Sequence, residues 1–193
     1  MNILTDYLPS SVMVGNSTFD IKTDFRAGVS FYCMVEEGED NLYKLCSPFF
    51  PKGLPRDING AVEAVIYFLR CGEITEDNTP KQNKPTYSFN IDSEAIYADF
   101  WRYYNIDLSQ DDLHWWTFRS LLMGLPEESN FKMRIYYRTV KLSDLPKKER
   151  KRIANIRKQI EIKTIEKGGK LTLEQRNKQM LDYVIKRSNE TRG

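Results

Sequence analysis

Along the first quarter of the chain, apolar positions alternate and then fall into step with a helix. In "SVMVGNSTFDIKTDF", Val12 and Val14 lie on one side of a polar Gly-Asn-Ser tip, and Phe19 and Ile21 alternate on the other. This period of two around a Gly-Asn turn predicts a short β-hairpin. Phe25, Val29 and Tyr32 then recur at helical spacing up to Gly38, and a short helix around Leu42–Leu45 is expected to end before Pro48. "LPRDINGAVEAVIYFLRCG" carries the clearest period of this half: Ile58, Ala61, Val62, Val65, Ile66 and Leu69 fall at i, i+3, i+4, i+7, i+8 and i+11. Asp57 reads as its N-cap and Gly72 as its stop, with Val62, Val65, Ile66 and Leu69 as core.

The pattern lapses over residues 73–86, "EITEDNTPKQNKPT", which has almost no apolar content and two prolines. Such a stretch buries too little surface to fix its own shape, so it reads as a linker between two units. Beyond it the period is helical throughout. Ile96, Phe100, Tyr103 and Tyr104 share one face of a helix. The next helix is expected to open at Ser109, with Asp112 in capping-box spacing, and to stop at Gly124. "ESNFKMRIYYRTVKL" follows as a third. A helix expected from Ser143, with Pro146 in its first turn, carries Ile153, Ile156 and Ile160 as a narrow stripe. A last helix from Thr172 answers with Leu173, Met180, Leu181, Val184 and Ile185 across a turn at 167–170. The predicted architecture is mainly α with one short N-terminal hairpin. Residues 1–72 hold the hairpin and helices, 73–86 the linker, 87–142 a helical unit and 143–193 a basic helical hairpin.

One helix does not sort cleanly into an inside and an outside. In "LHWWTFRSLLMG", Trp115, Phe118 and Leu122 share a stripe with His114, while Trp116 and Met123 lie almost opposite, beside Arg119. Trp115, Phe118 and Leu122 are expected in the core. Trp116, Arg119 and Met123 are expected at a surface that meets a partner, where amphipathic aromatic rings concentrate. His114 is the only histidine, with no second ligand one helical turn away, so it reads as structural, hydrogen-bonded near the helix start.

Charge changes this picture at the C-terminal end. Net charge is +2, yet residues 141–193 hold 16 Lys and Arg against 7 Asp and Glu, leaving 13 against 20 in residues 1–140. An acidic body thus carries a basic tail, in which Arg150, Arg152 and Arg157 are candidate partner contacts. Clustered cations suit phosphate, but the tail offers Tyr183 as its only aromatic, so base stacking is poorly supplied and nucleic acid is a secondary expectation.

Catalytic chemistry finds little support. No phosphate-binding glycine loop, nucleophile elbow or zinc-protease motif is present, and the carboxylate pairs Glu36-Glu37, Asp111-Asp112 and Glu127-Glu128 fall at expected helix ends. Cys33, Cys46 and Cys71 form no metal or disulfide pattern. A non-enzymatic protein without cofactor or metal is expected. No apolar run is long enough for a membrane helix and the N-terminus does not read as a signal peptide, so a cytoplasmic location is expected.

Residues 87–126 resemble the bacteriophage "gene product fifteen" family of siphophage tail-cluster proteins. The features that carry this are Tyr87-Ser-Phe-Asn-Ile-Asp92, Ile96-Tyr97, Phe100, Tyr104-Asn-Ile-Asp107-Leu108, Leu113-His-Trp-Trp116, Phe118 and Gly124-Leu125. The resemblance spans most of residues 10–140. It implies a tail assembly chaperone, encoded ahead of the tape-measure protein, that binds tape-measure or tail-tube subunits in the host cytoplasm, with self-association also open. A minor structural role in the tail is the alternative it allows.

Overall fold

A computed structural model describes residues 2–73 and 85–162. Strands β1 (Ser11–Val14) and β2 (Ser17–Asp20) form an antiparallel hairpin that pairs Val12 with Phe19 and Met13 with Thr18. Gly15, at φ 58°, turns the chain where a side chain would be strained. Helices follow as α1 (Phe25–Glu36), α2 (Leu42–Cys46), α3 (Ile58–Leu69), α4 (Phe89–Tyr104), α5 (Trp115–Met123), α6 (Asn130–Thr139) and α7 (Lys147–Gln159). The chain is mainly helical, with the hairpin at its N-terminal end, as its periodicity predicts.

Local chemistry sets the helix ends. Asp24, Asp57, Ser88 and Ser129 each accept a backbone N–H at the start of α1, α3, α4 and α6. Asn105, at φ 55°, ends α4 in the left-handed conformation that asparagine tolerates.

One core crosses the expected linker. Phe31, Phe49, Val62, Val65, Phe68 and Leu69 from the N-terminal side pack in the same cluster as Phe89, Phe100, Trp115, Phe118, Leu122 and Phe131 from the C-terminal side. At its centre, Phe118 stacks on Phe25 at 4.7 Å and on Phe100 at 5.1 Å between ring centroids. Residues 1–72 and 87–142 are therefore not two separate units. Each presents half of an apolar interior that the other completes, and Ile66 is only half-buried at its edge. Most of the expected linker, the turn at 167–170 and the helix expected from Thr172 lie outside the described residues.

Two helix starts differ from expectation. α5 begins at Trp115, not near Ser109. Asp107 accepts the Ser109 N–H and hydroxyl, and Asp111 accepts the Asp107 N–H, so these acids close a turn. His114, just before α5, pairs with Asp24 in an isolated antiparallel bridge at α1's N-terminus: Phe25 N–H donates to Leu113 O and Trp115 N–H to Thr23 O. α7 begins at Lys147, because residues 142–144 form a separate 3₁₀ turn.

Candidate partner-binding site

A helix that ends inside a protein leaves carbonyls without partners. α3 ends this way, and the His-Trp-Trp block answers it. Cys71 takes φ 57° and Gly72 φ 77°; their N–H groups donate to Phe68 O and Tyr67 O, closing a Schellman cap. The carbonyl of Leu69 stays outside that cap. It receives the Trp115 indole N–H at 2.9 Å and Arg119 Nη1 at 3.0 Å. Phe68 O receives the Trp116 indole N–H at 2.8 Å. Two adjacent indoles reach neighbouring carbonyls because α5 runs into the end of α3, and Arg119, one turn on from Trp115, adds a cation at the negative end of the α3 dipole.

Trp115, Phe118 and Leu122 are buried, as expected, and Trp115 lies over Gly28 of α1, where any Cβ would collide with the ring. Trp116 corrects the expectation of a surface ring: it is 5% exposed. The wheel places it across from the stripe of Phe118, but α5 is enclosed on that side by Phe68 and the end of α3. Arg119 is half-buried and committed to Leu69 O. Of the three expected contact residues on α5, only Met123 is exposed, at 41%.

His114 is the N-cap of α5. Its Nδ1 accepts the Trp116 N–H at 3.1 Å, and its Nε2 lies 3.0 Å from Pro9 O. Accepting at Nδ1 requires the neutral ring with its proton on Nε2, donated to Pro9 O. Burial holds the histidine below its usual pKa, against a smaller upward pull from that carbonyl. It thereby ties the segment before β1 to α5.

Beside this junction lies a groove of about 330 Å³ between β1 and α3. Ser11 and Met13 form one wall, Glu63, Ala64 and Tyr67 the other, and Phe68 and Trp116 also line it. Further apolar surface is exposed at Leu4, Tyr7, Tyr97 and Trp101. The groove's aromatic lining was not legible as such: the period of α3 marks Phe68 as off-stripe, and its closeness to Trp116 arises only in three dimensions.

The tail arginines divide. Arg157 donates to Tyr137 O and Val140 O at the end of α6, and Arg150 to Leu145 O and Ser143 O. Both guanidinium groups serve their own backbone; Arg157 is half-buried, whereas Arg150 and Arg152 are exposed. Sequence reasoning missed a buried ionic cluster. Asp92, 0% exposed in α4's first turn, accepts two bonds from Arg138 at 2.6 and 2.7 Å and one from Arg134 at 3.1 Å. Arg138 also donates to Thr86 O and Ile160 O.

Among the described residues no three His, Cys, Asp or Glu side chains could hold a metal ion, and no helix is long and apolar enough to cross a membrane. Burial pushes the Cys33 thiol up to about 11 and Cys46 up to about 12; Cys71 is raised too, against the pull of Arg119.

The family model described as "Bacteriophage Gp15 protein" matches residues 4–162, which spans every element described above. No curated protein and no solved structure matches the chain. The chain belongs to the Bacteriophage Gp15 family.

Proposed function

We propose that this phage protein acts without catalysis in tail assembly, binding the tape-measure or tail-tube protein and keeping it soluble until it is incorporated. The family match over residues 4–162 carries the reading. It is supported by apolar surface that the protein leaves uncovered. The groove beside Trp116, exposed Met123 and the exposed rings of Tyr97 and Trp101 are the kind of surface that holds an apolar client. The host cytoplasm is where such a client would be met.

The test is co-expression. The tape-measure and tail-tube proteins of the same phage are each produced with and without this chain, and the soluble fraction is followed and then sized by gel filtration. The reading expects one of them to become soluble and to elute with the chain. If both behave identically with and without it, and neither co-elutes, the assembly role is wrong.

A further inference from the structure

We propose that the groove between β1 and α3 binds an extended peptide as a third strand, one that carries a large apolar side chain and flanking lysine or arginine. This rests on the reading above only in taking the natural ligand to be a protein segment.

The backbone supplies the first argument. Ile21 N–H donates to Ser10 O at 3.0 Å, so Ser10 and Ile21 form a hydrogen-bonded pair of the antiparallel ladder. Pairs alternate, so Val12–Phe19 and Val14–Ser17 are of the same kind, and Ser11 and Met13 are not. The N–H and C=O groups of Ser11 and Met13 therefore turn away from β2. The sheet has two strands among the described residues, and no described backbone group takes these four. An edge with unpaired donors and acceptors is a template for another strand.

The groove supplies the second argument. Ser11 and Met13, the residues with outward backbone groups, line it together with Pro9 and Val12, and Ala64, Tyr67, Phe68 and Trp116 complete it. Main-chain bonds along an edge with a side-chain pocket beside them are the two parts of β-strand addition, the first giving affinity and the second specificity. Charge selects the occupant. No Lys or Arg lines the groove, and residues 1–140 carry 20 acidic against 13 basic side chains. A peptide with cations beside its apolar residue complements that field.

The probe is the fluorescein-labelled peptide Lys-Val-Thr-Phe-Thr-Val-Lys, titrated with the full chain and read by anisotropy. The proposal expects saturable binding. It also expects an N-methylated version, which keeps every side chain but cannot pair as a strand, to bind about tenfold more weakly, the equivalent of one hydrogen bond. A version with Glu in place of both Lys should weaken as well. Met13→Pro removes an outward N–H while leaving the β1–β2 ladder intact, as edge strands allow, and should cost a similar factor. Ala64→Trp, which fills the groove from α3, should abolish binding and guards against a Met13→Pro protein that fails to fold. Absence of binding, or binding indifferent to N-methylation and to Ala64→Trp, overturns the proposal. So does a chain that is dimeric and becomes monomeric on Met13→Pro without any change in peptide affinity, since the edge would then serve a second copy. Because the probe is no tail protein, peptide binding without client solubilisation would sink the assembly role and leave this site standing.

Discussion

Leu69 O is the carbonyl on which the meeting of α3 and α5 turns, and it has two donors, the Trp115 indole at 2.9 Å and Arg119 at 3.0 Å. A thermodynamic cycle exposes what they share. Trp115→Phe removes one donor and some core volume; Arg119→Met removes the other and keeps much of the stem's packing. After either change, Leu69 O keeps one partner. After both it has none, deep in a site where water cannot replace them. An orphaned buried carbonyl costs about 1–3 kcal/mol. The loss of ring volume occurs in the single and the double variant alike and cancels. The double variant should therefore be less stable than the sum of the singles by about 1–2 kcal/mol. Urea unfolding followed by far-ultraviolet circular dichroism measures it without relying on the altered tryptophan, and equal slopes across the set would show that all four proteins unfold alike. Additivity to within about 0.5 kcal/mol would mean that the two donors do not converge on one acceptor, and the account of this junction would fail.

Three further outcomes follow from other contacts. Gly28→Ala should destabilise although alanine is the better helix former: its Cβ would strike the Trp115 ring, and overpacking of about 1–3 kcal/mol outweighs a propensity gain of about 1 kcal/mol; a variant as stable as the parent in a thermal melt would contradict this. Asp92→Ala should cost about 3–5 kcal/mol, because Arg138 is left buried without its carboxylate, and adding Arg138→Met should recover part of the loss; no recovery in denaturant titration would refute the pairing. His114 is held below the usual histidine pKa of 6.5, so the unfolded chain takes up a proton first as pH falls. Its stabilisation is complete above about 6.5 and declines as pH drops from there toward the folded value. Melting temperature should drop between pH 7.5 and 5.5 in the parent and drop less in His114→Asn, which keeps an N-cap acceptor without titrating; equal slopes would remove the histidine from the pH response.

Period and punctuation carried most of the helices. The i, i+3, i+4 pattern from Ile58 to Leu69 and the cap at Asp57 are local signals, and local signals survive folding. What failed was what depends on neighbours. Trp116 looks outward on an isolated wheel and becomes interior only because α3 ends against it. Ser109 satisfies a capping rule, but Asp107 claims its N–H and hydroxyl first. Arg157 reads as a candidate partner contact, and nothing local tells that the end of α6 presents two carbonyls to it. Asp92 and Arg138 lie 46 positions apart, beyond the reach of any short-range pattern. The groove needs β1, α3 and α5 at once, and no one of their segments announces it.

The shared core has a consequence for cutting the chain in two. Neither half encloses its own interior: Trp115 from one side needs Gly28 and Leu69 from the other, and Glu36 at the end of α1 accepts the Ser88 hydroxyl and Phe89 N–H that open α4. A backbone break between residues 73 and 85 removes none of these contacts. Two fragments made separately, 1–78 and 79–193, should each be poorly folded alone and should reassemble on mixing, with mutual affinity standing in for the covalent link. The protein is thus a candidate for fragment complementation, and a reporter fused at the break would read out folding of the whole.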